Sequence, residues 1–252
     1  MEEYTKIYKS CYTTLRKCSL SSKKYEGIAS PTNQHFYASI LFTRICVIAM
    51  SINQLSPQPD LIGKENTLWD FSSVSSLTRN LIECYLTFFY LCIDKCNKDE
   101  QDARLKLMNL HDHISRTKMF ESLQSDEEQK FKKNNDEVIA PLKNNNWFKK
   151  LSNKQQIHFL KGNTSFFKKN DEIVKDSGGD ISEFKFKYKF LSSHTHSSPM
   201  GFYRTSNDRG RGLETPTEIK YTGMCLEWVN EYLNKANKEF ITLFEHPLSD
   251  NV

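Results

Sequence analysis

The chain has 252 residues, 38% hydrophobic and 12% aromatic, and its 17 Phe and 11 Tyr supply a core that excludes wholesale disorder. Lys and Arg number 35 against 31 Asp and Glu, a net charge of +4. That permits contact with phosphate but lacks the clustered basic excess of a dedicated nucleic-acid domain. Only 9 Gly and 7 Pro occur, which favours long helices over turn-rich β architecture.

Residues 2–18 place Tyr4, Ile7, Tyr8, Cys11, Leu15 and Cys18 at helical spacing, with Lys and Arg on the other face. A polar connection follows at 19–33. From 34 to 54 the chain is apolar nearly all round, which predicts a central helix. Its most apolar part, 40–52, contains Arg44 and is read as too short to span a bilayer. Pro57, Pro59 and Gly63 make 56–68 a loop. A second central helix is expected over 72–95, capped by Ser72 or Ser73. A more polar helix is expected over 99–123.

The segment 124–179 is rich in Lys and Asn and reads as an insertion or peripheral layer with short helices, one of them starting at Ser152 and stopping at Gly162. Asp180-x-x-Glu183 has the form of a capping box. After it, Phe184, Phe186, Tyr188 and Phe190 alternate with lysines at strand period, while Ile181, Phe184, Tyr188 and Leu191 follow helix period. The cap and the helical context favour a helix. The stretch 194–214 is irregular, and Thr215-Pro216-x-Glu218 opens a last, amphipathic helix through Trp228 and Phe244. The expected fold is all-α: a helical bundle of one domain, 1–252, with two central apolar helices and a long C-terminal amphipathic helix. The seven Cys are scattered, several in apolar runs, and no signal-peptide pattern opens the chain. Both features point to reduced thiols in a cytoplasmic setting with no membrane.

Three constellations could carry chemistry. Arg79 and Glu83 lie four apart, on one face of an otherwise apolar helix. Charges there need partners, so they form either a structural ion pair or an anion site with Glu83 orienting Arg79. His194 and His196 stand at a helix end, before a loop bearing Arg204, Arg209 and Arg211. Imidazoles pass protons and guanidinium groups hold phosphate, whereas the bland reading is a polar loop whose histidines cap the helix. His111 and His113, two apart on a helix, point in nearly opposite directions and cannot share a metal. No phosphate-binding glycine loop, nucleophile elbow or zinc-protease motif occurs. No metal or cofactor is assigned.

The helix bearing Arg79-Asn-Leu-Ile-Glu83, with the later Tyr188-Lys-Phe-Leu-Ser-Ser-His-Thr-His196, resembles a family of uncharacterised helical bacterial proteins. Those share an Arg-x-x-x-Glu helix and a Leu-Ser-x-x-x-His element. That family in turn looks distantly like the HEPN superfamily (higher eukaryote and prokaryote nucleotide-binding), whose signature is Arg, four to six residues, then His. Here Lys189 stands at the Arg position, with four residues between it and His194 and six between it and His196. Lysine gives charge without the bidentate fork. The resemblance implies a protein that engages RNA or a nucleotide. The activity it implies is that of a metal-independent ribonuclease in antiphage defence or a toxin system, acting as a homo-oligomer. His194, His196, Arg79 and Glu83 are the catalytic candidates, and Lys189, Arg204, Arg209 and Arg211 the substrate-binding ones. Two alternatives stand beside it: a non-catalytic interaction subunit of a defence complex, and a metal-dependent hydrolase.

Overall fold

The computed structural model describes residues 1–64, 67–123, 135–195, 199 and 212–245. No strand occurs among them, and nine α-helices account for most of these described residues. They are α1 Glu2–Lys24, α2 Asn33–Leu55, α3 Phe71–Phe88, α4 Lys98–Leu123, α5 Asn135–Lys143, α6 Asn153–Leu160, α7 Asn170–Asp176, α8 Ile181–Thr195 and α9 Pro216–Glu245. The expected all-α class holds, with the two apolar helices central and the last helix the longest. The chain forms two compact units, residues 1–93 with 174–252, and residues 94–173. The second begins at Asp94, just before α4 and thirty residues before the Lys/Asn-rich stretch at 124.

The first unit is a bundle of α1, α2, α3, α8 and α9. α3 packs against α2, α8 and α9, and α1 lies on α9 and α2. Its core is aromatic. Phe42 of α2 stacks on Phe240 of α9 at 4.1 Å between ring centroids, and Phe240 also meets Phe244 at 4.7 Å. Buried polar groups are tied across helices. His35 Nε2 reaches the Leu243 carbonyl at 3.1 Å, and the Tyr8 hydroxyl donates to Asn53 Oδ1 at 3.1 Å. Asp70 caps α3 by accepting from the Ser73 amide at 3.1 Å, so the cap lies two residues before the expected serines. α3 ends in a π-helical turn, Phe89–Ile93, whose first four side chains are buried. The disputed segment after Asp180 is helical, with the Asp180 carboxylate accepting from the Glu183 amide at 2.7 Å. α9 begins at Pro216, where Thr215 Oγ1 accepts from the Glu218 amide at 3.2 Å.

In the second unit, α4, α5 and α6 enclose Ala103, Leu107, Leu110, Leu142, Phe148 and Phe159. Arg104 is 1% exposed and is held by Asp94 at 2.8 Å and Glu100 at 2.6 Å. α6 has the full capping box at Ser152 and Gln155. The chain then turns at Gly162, with φ +64°, and a Cβ there would stand 2.6 Å from Ile114. His113 faces inward and meets Asn135 Oδ1 at 2.7 Å, while His111 Nδ1 meets the Gly162 carbonyl at 2.8 Å.

All seven cysteines are free, and burial raises their pKa values, to about 12 for Cys11, Cys18, Cys46 and Cys225. Such thiols carry little thiolate at neutral pH and act as core residues. By length and composition, α2 and the turn after it are long and apolar enough to cross a membrane, although 44% of that window is buried inside the fold.

Phe240→Ala should lower the stability of the first unit by about 3–5 kcal/mol, because it removes the ring that stacks on Phe42 and leaves a cavity. The urea midpoint followed by far-UV circular dichroism measures this.

Candidate functional site

α3 and α8 run antiparallel. Phe71 meets His194 with ring centroids 4.9 Å apart, Ser75 Oγ donates to the Leu191 carbonyl at 3.3 Å, and Arg79 meets Tyr188. The structure keeps the predicted catalytic residues of this seam in two places. At one end Arg79 Nε donates to Glu83 Oε1 at 3.1 Å, and Arg79 Nη2 donates to the Tyr188 hydroxyl at 2.8 Å. That hydroxyl donates to Glu83 Oε1 at 2.8 Å, which closes a triangle, and the guanidinium carbon lies 4.6 Å from the Tyr188 ring centre. Burial works against the Arg79 charge, but the Tyr188 hydroxyl and the Glu83 carboxylate outweigh it and hold the pKa above its usual value. Burial, and then the bond to Glu83, raise that of Tyr188. The triangle fastens α8 to α3.

His194 lies six residues beyond Tyr188, about 9 Å along the helix. It sits among aromatic rings: Phe71 at 4.9 Å, Phe190 at 4.8 Å and Tyr221 at 5.9 Å. Lys189 is exposed. His196, Arg204, Arg209 and Arg211 lie outside the described residues.

Three features were not anticipated from the sequence. Tyr188 completes the Arg79–Glu83 pair, although its helix-period spacing with Leu191 and Phe184 carried a usable signal. An aromatic seam runs between α8 and α9. Phe186 stacks on Phe190 at 6.1 Å, and Trp228 stands edge-on to both, at 6.4 and 5.8 Å. Tyr221 meets Phe190 at 5.1 Å, and His194 ends the row. Phe186 is 58% exposed. Third, Lys187 is only 2% exposed and pairs with Glu231 at 2.5 Å and Glu183 at 2.7 Å. Lys235 also holds Glu231 at 2.9 Å. Burial pushes the Glu231 pKa up, but the two lysines outweigh it and bring it below the usual value. These side chains line a cavity of about 250 Å³ with Ser177, Gly178, Gly179 and Tyr232. One turn further along α9 from Lys235, the Glu239 carboxylate accepts from the Tyr85 hydroxyl at 3.1 Å, and its second oxygen is buried with no hydrogen bond among the described residues. Burial raises its pKa to about 7, against the Tyr85 bond and nearby lysines that lower it. Among the described residues no cluster of three His, Cys, Asp or Glu could hold a metal.

The architecture defines a helical-bundle protein with an aromatic seam and a buried ion-pair network between α8 and α9. Residues 35–212 match a family of unknown function, DUF5677, and the chain belongs to that family. No curated protein and no solved structure matches it significantly.

Two substitutions probe these groups. Tyr188→Phe leaves Arg79 and Glu83 joined but removes two bonds to α8, and should lower the unfolding free energy by about 1 kcal/mol in urea titration. Glu239 holds its proton more tightly folded than unfolded. Its stabilising contribution is therefore complete below the unfolded value of 4.5 and disappears as pH rises to about 7. Glu239→Gln should flatten stability across that window and add on the order of 2 kcal/mol at alkaline pH, read from unfolding midpoints at a series of pH values.

Proposed function

We propose that this protein engages single-stranded RNA or a nucleotide on the aromatic seam of α8 and α9, with His194 as the proton-moving residue at its end. The observation that carries this reading is the row Phe186, Phe190, His194, with Trp228 and Tyr221 beside it and Phe186 left exposed. Bases of any sequence stack on such rings, each worth about 1–3 kcal/mol. Lys185 and Lys189 are exposed on the same helix and supply positive charge for the phosphates. In the cleaving form of this reading, the ribose 2′-oxygen loses its proton and attacks the adjacent phosphorus. The 5′-oxygen then leaves with a proton, and an imidazole serves one of the two transfers. Arg79 is engaged by Glu83 and Tyr188, so it acts through the placement of α8. The distant HEPN resemblance agrees with this reading and adds the setting of antiphage defence or a toxin system.

The test is fluorescence anisotropy with a labelled single-stranded RNA, paired with a cleavage assay in chelator. Trp228→Ala and Phe186→Ala should each weaken binding roughly tenfold with helicity unchanged. His194→Ala should abolish cleavage and leave binding within about threefold. Binding that ignores both aromatic substitutions would refute the seam as the site. Binding without cleavage in the wild type would leave a non-catalytic interaction module, and cleavage lost in chelator would favour a metal-dependent hydrolase.

A further inference from the structure

α2 has 23 residues, and Arg44 is its one Lys, Arg, Asp or Glu. Its inward face, including Ala38, Phe42, Ile45, Ala49 and Ile52, already fills the core. The outward face is also apolar: Phe36 is 51% exposed, Ile40 49%, Val47 54% and Met50 46%, with Thr43 exposed between them. These positions step by four, three, four and three residues. That is the heptad spacing of a helix meeting a second helix nearly along its axis, and the stripe is about 21 Å long.

We propose that this stripe is a self-association surface, where α2 of a second copy of the chain packs knobs into holes to form a two-fold dimer. The inference stands independently of the RNA reading. Three features select a second copy as the occupant. The heptad step makes a narrow seam, which suits a facing helix, whereas a helix lying on lipid presents a broad apolar arc edged with lysines. A two-fold axis sets a patch against itself, and a stripe without charge meets its own copy without like-charge repulsion. Arg44 is beside the stripe, close enough to Cys84 of α3 for its charge to act on that thiol. The size is adequate as well. Half-exposed side chains of this kind present on the order of 100 Å² each, so two copies with their flanking residues bury roughly 1,000 Å², the lower range of specific interfaces. Association should therefore be moderate and concentration-dependent.

Sedimentation equilibrium of the full chain tests this. From about 1 to about 100 µM, the weight-average mass should rise from 29.5 kDa toward twice that value. Ile40→Glu with Val47→Glu should hold the chain at monomer mass throughout with unchanged circular dichroism, since both side chains lie on the outer face. Phe186→Glu, an exposed apolar site on another helix, should leave the dimer intact and serves as the control. A wild type that stays monomeric at the highest concentration overturns the proposal, and so does a dimer that persists in the double variant. The vesicle arm uses phosphatidylcholine with phosphatidylglycerol. A monomeric wild type that floats with these vesicles, and a double variant that does not, would assign the face to a membrane instead.

Discussion

Burying α3 on three sides constrains the rest of the first unit. The polar groups on its buried faces each need a partner on α2, α8 or α9 or within its own turn, because an unmet buried polar group costs about 1–3 kcal/mol. Ser75 bonds to the Leu191 carbonyl, and Thr78 bonds back to Val74. Arg79 and Glu83 take the Tyr188 hydroxyl, and Tyr85 takes the Glu239 carboxylate. These bonds fix where α8 and α9 lie on α3. The π-helical turn at its end keeps Phe89, Tyr90, Leu91 and Cys92 in the core as the chain leaves the helix.

Once α8 is held in this way, its remaining faces acquire distinct characters. Tyr188 and Leu191 look toward α3. Phe186, Phe190 and His194 form the seam with Trp228 and Tyr221, and Lys187 turns into the ion-pair network with Glu183 and Glu231. A buried lysine tolerates such a place only when carboxylates surround it. The seam and the network are thus two consequences of one helix wedged between α3 and α9. The strand-like alternation of aromatic and lysine residues is the one-dimensional trace of a helix that must satisfy several surfaces.

Much of this was legible in the residues. Helical period located α1, α2, α3 and α9, and local chemistry marked the starts of α6, α8 and α9: Ser152, Asp180 before Glu183, and Thr215 before Pro216. Those signals act over three or four residues and need no tertiary information. The start of α3 was misplaced because Asp70, Ser72 and Ser73 are all competent caps, and only the position of the first helical residue chooses among them. The Arg79–Glu83 pair was visible for the same local reason. Its third member was not, since Tyr188 lies 105 residues from Glu83 and no spacing rule reaches that far.

The sequence by itself determined the longer helices, the apolar character of α2 and α3 and the closeness of Arg79 to Glu83, because periodicity and four-residue spacing act within one helix. Tertiary structure decided that Arg79 and His194 occupy separate places, that Lys187 is buried while Lys189 is exposed, and that one Glu239 oxygen is buried with no hydrogen bond among the described residues. Those outcomes depend on which helix faces which, and helix pairing follows from the packing of whole surfaces.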